Sequence, residues 1–353
     1  MIKRKTARSA GVATIRDVAR ESGVSVATVS YVLNNGPRNV AAPTRERVLD
    51  TVRRLNYHPN ATAQRLAGRK MRTVGVLFGY VETEILTNPY AAMVVQGILS
   101  AAAQQRYNVT LFTLRWEDAD TSAAEFRDER TDGILVVAPL TNSDIVQGLA
   151  DLQIPLVTVS SPSGVPGVPY VDVDNTAGAR MATEHLLALG HTRFAHIGGQ
   201  EVHQDVPARR NAFLQTLAEA GIMVPDTYLP EGTYDWQLVR KIARQILTLP
   251  EPPTAIFAGN DTLALVILEV AQSLGLRVPE DLSLVGFDDL PMAAVVSPGL
   301  TTVRQPLIAI GAAATRTLIR EIEGDAVENE ERQDIVMSPE LIVRGSTGPP
   351  AVR

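Results

Sequence analysis

The feature that most constrains the fold is an alternation of short β-branched runs with helical segments from residue 72 onward. A first series of runs is TVGVLF (73–78), NVTLFTL (108–114), GILVVAP (133–139) and PLVTVS (155–160), with a helix predicted at Tyr90–Gln105. A second series is FAHIGG (194–199), TAIFAGN (254–260) and LSLVGFDD (282–289), with helices predicted to begin near Thr176, Pro207, Trp236 and Thr262. Such alternation predicts two similar, doubly wound parallel sheets, whose ligands bind at the carboxyl ends of the strands.

The first 60 residues have the pattern of short amphipathic helices instead. Thr14 and Asp17 form a variant capping box, and Gly23 is a typical glycine at a helix end. Ser25 can cap a second helix at once, which predicts a helix-turn-helix. A third helix is expected at about Thr44–Asn56. The apolar side chains predicted to form a small three-helix core are Ile15, Val18, Val24, Val29, Val32, Leu33, Val48, Val52 and Leu55.

The distribution of charge divides the chain in the same way. The 353 residues have a net charge of −6, but residues 1–70 contain 14 Lys and Arg against 4 Asp and Glu, a charge of +10. The remaining residues therefore have a charge of −16. A basic head on an acidic body is the asymmetry expected when only the head meets phosphates. A basic, disordered tail is the alternative, and the helical periodicity of residues 14–57 argues against it.

Several classes of protein are disfavoured by what the sequence lacks. It has no cysteine, which excludes disulfides and thiolate sites, and it has no apolar run of about 18 residues for a membrane span. The basic N-terminus has no apolar segment of a secretory signal, so we expect a cytoplasmic protein. Its five histidines show no metal-ligand spacing, and nucleotide-binding and hydrolase motifs are missing. We expect no catalytic residue, no metal and no cofactor.

The motifs of both parts resemble one family. TIRDVARESGVSVATVSYVLNNGPRNVAAPTRERVLDTVRRLNYHPNATAQRLAG resembles the DNA-binding region of the LacI–GalR family of bacterial transcriptional regulators. DNTAGARMATEHLLALGHTRFAHIGG, PARRNAF, PTAIFAGNDTLAL, LSLVGFDD, SPGLTTVRQP and LIVRGST resemble the effector-binding core of the same family. The resemblance implies an N-terminal all-α helix-turn-helix head and an α/β periplasmic-binding-protein-like core of two doubly wound subdomains.

For the head, the resemblance implies roles residue by residue. Val26, Ala27 and Tyr31 match the base-reading positions, and Ser25, Thr28 and Ser30 match positions that contact phosphates. Val26 and Ala27 offer only apolar contact, suited to a thymine methyl. Tyr31 stands where arginine or histidine is often found, so the half-site preference cannot be copied from a relative. In the linker, Leu66 matches the leucine that wedges into the minor groove at the centre of the operator.

For the core, the family match implies an effector site at the ends of strands. Arg209 matches the arginine that usually hydrogen-bonds the ligand, and Asn260 and Asp288 each follow a strand. On the residues alone, a solvated surface position is an equal alternative for Arg209 and Asp288. The remaining matches are the walls Tyr90, Tyr234 and Phe287, and Ser160, which stands where many sugar-binding members have an aspartate. The guanidinium donors of Arg209, the amide of Asn260 and the carboxylate of Asp288 are groups that can pair with adjacent hydroxyls, which suits a polyhydroxylated ligand.

These expectations combine into one function, a homodimeric repressor that binds a pseudo-palindromic operator in double-stranded DNA. A small-molecule effector, a sugar or sugar derivative, would bind between the core subdomains and control it. The expected domains are a head at 1–58, a hinge helix or linker at 59–71 and a core at 72–353. The core would comprise an N-subdomain (about 72–172 and 305–335) and a C-subdomain (about 173–303 and 336–353). A solute-binding protein of a sugar transport system is the alternative, and an enzyme on a doubly wound scaffold is a weaker one.

Overall fold

The computed structural model describes residues 13–34, 40–57, 70–79, 85–113, 116–126, 130–324 and 334–351. The chain divides into two compact units, Met1–Met71 and Arg72–Arg353. The predicted hinge helix, with Leu66, lies outside the described residues except at Lys70 and Met71. Within the described ranges, no helix is both long and apolar enough to cross a membrane.

The first unit contains three helices in its described part: α1 (Ile15–Ser22), α2 (Val26–Asn34) and α3 (Ala42–Arg54). The capping box of α1 is confirmed, since the Thr14 side chain accepts from the Asp17 N–H and the Asp17 carboxylate accepts from the Thr14 N–H. Gly23 ends α1 in the left-handed conformation at φ 65°, which other residues adopt at a cost. The tight turn between α1 and α2 follows from this glycine.

The predicted three-helix core is also confirmed. Val18, Val29 and Val48 are fully buried and belong to one apolar cluster, to which the other predicted side chains contribute. Tyr57, which the periodicity of the sequence did not indicate, is buried in the same cluster. The core therefore holds the apolar side of α2 and leaves its other side to solvent.

The second unit contains two sheets in its described part. The first sheet has six parallel strands in the order β10-β5-β4-β3-β1-β2. Its strands are β1 (Thr73–Phe78), β2 (Asn108–Leu111), β3 (Gly133–Val137), β4 (Leu156–Val159), β5 (Tyr170–Val173) and β10 (Ile335–Met337). The second sheet has the order β11-β9-β8-β7-β6 and is parallel except for β11. Its strands are β6 (Phe194–Ile197), β7 (Ala255–Ala258), β8 (Ser283–Asp288), β9 (Thr301–Arg304) and β11 (Glu340–Ile342).

Helices pack around both sheets. They are α4 (Pro89–Gln104), α5 (Ala119–Phe126), α6 (Ile145–Asp151), α7 (Asn175–Ala188), α8 (Asp205–Glu219), α9 (Trp236–Leu247), α10 (Asp261–Ser273), α11 (Pro291–Val295) and α12 (Leu307–Glu323), with 3₁₀ turns at Ile85–Thr87 and Asp226–Tyr228. The alternation of strands and helices predicted from the sequence is thus present in both sheets. Several of the β-branched runs identified in the sequence extend one to three residues past the end of the observed strand. The strands end there because hydrogen bonding to the neighbouring strand ends there.

The chain passes between the two sheets three times. It leaves the first sheet after β5, returns to pack α12 against that sheet after β9, and leaves again between β10 and β11. The loops that follow β3 and β6 also meet across the gap between the sheets: the Thr141 N–H donates to the Val202 carbonyl at 2.9 Å, and Leu140 pairs with His203 in an antiparallel bridge. We call Leu140–Thr141 with Val202–His203 the rim clasp. The carboxyl ends of both sheets therefore face one enclosed cleft.

Candidate functional site

A cavity of about 630 Å³ lies in this cleft, within the size range of small-molecule sites. Strand ends from both sheets contribute to it, with Ala138 and Ser160 on one side and Asp288 on the other. These three residues have positive φ angles of 47°, 56° and 114°. Non-glycine residues in this region are strained and gather at functional sites. The positive φ angles therefore mark strand ends that line the cavity.

Arg209 on α8 is the central charged group of the cavity and is only 5% exposed. Its Nε donates to Asn175 Oδ1 at 2.9 Å, and its Nη1 donates to the Gly259 carbonyl at 2.7 Å. Its Nη2 lies 3.2 Å from a carboxylate oxygen of Asp205, four residues earlier on the same helix. Burial by itself would lower the pKa of Arg209, but Asp205 and Asp288 more than compensate and raise it. The guanidinium is therefore charged and fixed in place.

Asp288, at the end of β8, faces Arg209 and is 4% exposed. Its Oδ1 accepts a hydrogen bond from Gln305 Nε2 at 2.6 Å and lies 3.9 Å from Arg209 Nη1. Burial raises its pKa to about 7, against the opposing effects of Arg209 and Gln305. A carboxyl group with such a pKa can change its charge at physiological pH.

Asp172 is a second buried carboxyl group in the cavity, on β5. Its Oδ1 accepts from the Val173 N–H at 2.7 Å, and its Oδ2 accepts from Asn175 Nδ2 at 3.4 Å. Burial raises its pKa to about 7 as well, with Asp205 adding to the rise. Asn175 thus joins Asp172 to Arg209, because its oxygen accepts from the arginine and its nitrogen donates to the carboxylate.

Aromatic side chains form part of the cavity wall. Tyr90 and Tyr234 line it, and burial raises the pKa of both phenols, which stay neutral. The ring of His203 lies edge-on to Tyr234, with 5.4 Å between their centroids. Trp236, the first residue of α9, also lines the cavity and is 57% exposed. These rings offer flat apolar surfaces next to the charged groups.

The structure brings six of the seven predicted effector residues to this cavity: Tyr90, Ser160, Arg209, Tyr234, Asn260 and Asp288. Asn260 uses its Oδ1 to cap α10 at the Leu263 N–H, 2.9 Å away. Phe287 is the exception, because it is fully buried and does not line the cavity. Its predicted role as a wall is therefore corrected: its ring lies 3.8 Å beneath the Arg209 guanidinium and supports it by a cation–π contact.

Sequence reasoning missed other polar and aromatic residues of the cavity, among them Asp172, Asn175, His203, Asp205, Trp236 and Gln305. Asp205 carried a usable signal, because an acid four residues before an arginine on a helix pairs with it. Gln305 did not, since its contact with Asp288 spans 17 residues of chain. The structure assembles these residues from separate segments.

In the head, the predicted DNA-contacting residues lie on the side of α2 away from the core. Val26 and Ala27 are exposed, and Thr28, Ser30 and Tyr31 are half-buried. The Ser25 hydroxyl accepts from the Thr28 N–H at 3.1 Å, and the two hydroxyls lie 2.9 Å apart. Ser25 thus caps α2, as the sequence indicated. Leu66 lies outside the described residues.

Two observations concern the histidine and acidic side chains. Among the described residues, no group of three His, Asp or Glu side chains is arranged to hold a metal ion. His191 contacts the Thr254 hydroxyl and the Gly348 carbonyl at 2.9 and 3.0 Å, and burial lowers its pKa. His191 therefore has a structural role, joining three segments of the core.

A helix-turn-helix head followed by a two-sheet core with a ligand-sized cavity defines a class, that of ligand-responsive DNA-binding proteins. Residues 14–60 match the family described as bacterial regulatory proteins, lacI family, and residues 183–347 match the periplasmic binding protein-like domain. Catabolite control protein A of Priestia megaterium is 34% identical over 319 residues, which are 90% of this chain and 94% of that protein. The chain belongs to the LacI family of bacterial transcriptional regulators, which are not enzymes.

Solved structures of similar fold match 95% of this chain. The lac repressor dimer bound to operator and the anti-inducer ONPF has a TM-score of 0.80 and 27% identity, over 95% of this chain and 99% of that one. The transcriptional regulator CelR in complex with cellobiose has a TM-score of 0.72 and 29% identity, with the same coverage. The protein is thus a transcriptional regulator with a ligand-binding core, and the helix-turn-helix and core fold expected from the sequence are confirmed.

Proposed function

We propose that the protein is a homodimeric repressor whose affinity for a pseudo-palindromic operator is set by a sugar-like effector in the cleft. The observation that carries the proposal is the network around Arg209, in which a buried guanidinium is fixed by Asn175, Gly259 and Asp205 inside the cavity. Such a network is costly to bury and gives no evident structural return unless a polar ligand completes it.

The chemistry of the cavity favours a polyhydroxylated ligand. Carboxylate oxygens of Asp172 and Asp288 accept hydrogen bonds from hydroxyl groups, and amide groups donate and accept them. The rings of Tyr90, Tyr234 and Trp236 suit the apolar face of a sugar. The CelR structure, whose ligand is cellobiose, supports the same class of effector for this chain.

For operator binding, we propose the roles implied by the family resemblance. Exposed Val26 and Ala27, together with Tyr31, would read bases in the major groove, and Ser25, Thr28 and Ser30 would contact phosphates. Leu66 would wedge into the minor groove at the operator centre. The charge of +10 on residues 1–70 supports this interface. Binding of chromosomal DNA places the proposed site of action in the cytoplasm.

The proposed domains are the head (1–58), the hinge (59–71) and the core (72–353), with the effector acting on the relative orientation of the core subdomains. The rim clasp supports this mechanism, because it joins loops of the two sheets by backbone hydrogen bonds at the cavity edge. An effector that contacts both sides of the cavity would favour the clasped arrangement. The coupling is reciprocal, so operator and effector change each other's affinity by the same factor.

A thermal-shift screen with the full-length protein tests the effector proposal. We expect one or more neutral mono- or disaccharides to raise the melting temperature, and Arg209→Met to abolish the rise. Arg210→Met is the matched control, because Arg210 is adjacent but pairs with Glu201 at the surface, 3.0 Å away. An equal loss in both variants, or no response to any sugar, would contradict the proposal.

A further inference from the structure

The cavity contains more negative than positive side chains. Asp172, Asp205 and Asp288 line it, and Arg209 is its only Lys or Arg among the described residues. The three carboxyl groups come from β5, α8 and β8, and hydrogen bonds or ion pairs connect all of them to the same guanidinium, directly or through Asn175. The excess of negative side chains is therefore concentrated around the Arg209 guanidinium.

Protein groups already engage three of the five N–H donors of Arg209. Its Nε is directed at Asn175, its Nη1 at the Gly259 carbonyl and its Nη2 at Asp205. The planar fork that usually binds a phosphate or carboxylate in a bidentate manner is thus directed at the protein itself. The charge of Arg209 is thus already paired with Asp205, and Asp288 lies 3.9 Å from its Nη1.

The carboxylates, in contrast, keep acceptor capacity. An ionised carboxylate has about four acceptor positions. In the described part of the chain, Asp288 accepts one short hydrogen bond, from Gln305, and Asp172 accepts from Val173 and, at 3.4 Å, from Asn175. These oxygens are not arranged with others as a metal site. The cavity therefore has an excess of acceptors, which hydroxyl groups of a ligand can satisfy.

We propose that the effector is a hydroxyl-rich molecule without phosphate or carboxylate groups, and that this cleft rejects the acidic derivatives of the sugar it binds. This inference rests on the proposed effector function and narrows its ligand class. An anionic group in the cavity loses its hydration and meets three carboxylates, and the one guanidinium that could compensate is already paired with Asp205. A neutral polyol supplies donors to the same oxygens without that cost.

Matched ligand sets test the inference. For every neutral sugar that shifts the melting temperature, its 6-phosphate and its uronic acid are titrated by calorimetry at pH 8. We expect both acidic forms to bind at least tenfold more weakly than the neutral sugar. In Asp205→Asn, one excess carboxylate is removed, and the ratio between neutral and acidic forms should fall severalfold. An acidic form that binds as tightly as its neutral parent, or an unchanged ratio in Asp205→Asn, overturns the inference.

Inorganic phosphate is the probe that separates this inference from the proposed function. We expect phosphate at 10 mM, on the order of a saturating concentration for millimolar sites, to leave the melting temperature unchanged relative to an equal ionic strength of chloride. Stabilisation by phosphate that disappears in Arg209→Met would overturn the inference, whether or not any sugar binds. If no neutral sugar binds, the proposed sugar effector is contradicted, and the phosphate result alone decides whether the cavity rejects anions.

Discussion

The affinity of the effector should depend on pH through Asp288. Burial raises the pKa of this carboxyl group from 3.8 to about 7. An effector hydroxyl that donates to Asp288 binds the ionised form, so affinity is full above pH 7 and is lost as the pH falls. Between pH 8 and pH 6 the ionised fraction drops from about 0.91 to about 0.09, which weakens binding roughly tenfold, or by about 1.4 kcal/mol.

Asp172 has the same raised pKa of about 7 and the same cause, burial. If the effector contacts both carboxylates, the loss between pH 8 and pH 6 approaches about 100-fold, about 2.7 kcal/mol. The stability of the ligand-free protein depends on pH in the opposite direction. A folded pKa above the unfolded value of 3.8 means that stability decreases as the pH rises from about 4 to about 7.

Titration calorimetry between pH 5.5 and pH 8, in buffers of different ionisation enthalpy, measures both the affinity and the protons released. We expect proton release on binding near pH 6 and its reduction in Asp288→Asn. Arg209, Asp205 and the buried Asp261 also act on this carboxyl group, and His203 lines the same cavity. His203→Gln is therefore the control for imidazole titration. An affinity that is constant across this range, with no proton release, would show that Asp288 does not titrate on effector binding.

Three further predictions concern separate parts of the molecule. Phe287→Leu should weaken effector binding about three- to thirtyfold by removing the ring 3.8 Å beneath Arg209, and Phe257→Leu, in the same core without that contact, should lower the melting temperature but spare binding. Leu66→Ala should weaken operator binding in gel shifts and leave effector affinity intact; an unchanged operator affinity would refute the wedge. Tyr31→Ala should change half-site preference in a selection assay, whereas equal weakening on all sequences would mark Tyr31 as a backbone contact.

Much of the fold was predictable from local patterns. The capping of α1 by Thr14 and Asp17 and the buried valines of the head follow from helical periodicity and from side chains that bond their own backbone. The long β-branched runs also marked their strands. The strands β5, β9, β10 and β11 were not marked individually, because polar residues interrupt YVDV and TTVR and because β10 and β11 have only three residues each.

The candidate site was predictable only in part. Arg209, Asn260 and Asp288 stand at strand ends or in a motif, so position and family resemblance indicated them. The role of Phe287 could not be read in this way, since its ring reaches Arg209 only because Gly178 leaves room: a Cβ at Gly178 would lie 2.7 Å from Phe287 Cζ. Similarly, the raised pKa of Asp172 comes from burial that only the assembled core creates.

A linkage experiment tests whether effector binding in the cleft and operator binding by the head are coupled. The effector affinity of the full-length protein is measured by calorimetry, alone and saturated with an operator selected from random DNA. Operator affinity is measured by fluorescence anisotropy with and without saturating effector, at several salt concentrations. We predict salt-sensitive, sequence-specific binding and one identical factor of about 5 to 150 in both comparisons. Equal effector affinities for the free and operator-bound protein would contradict the account.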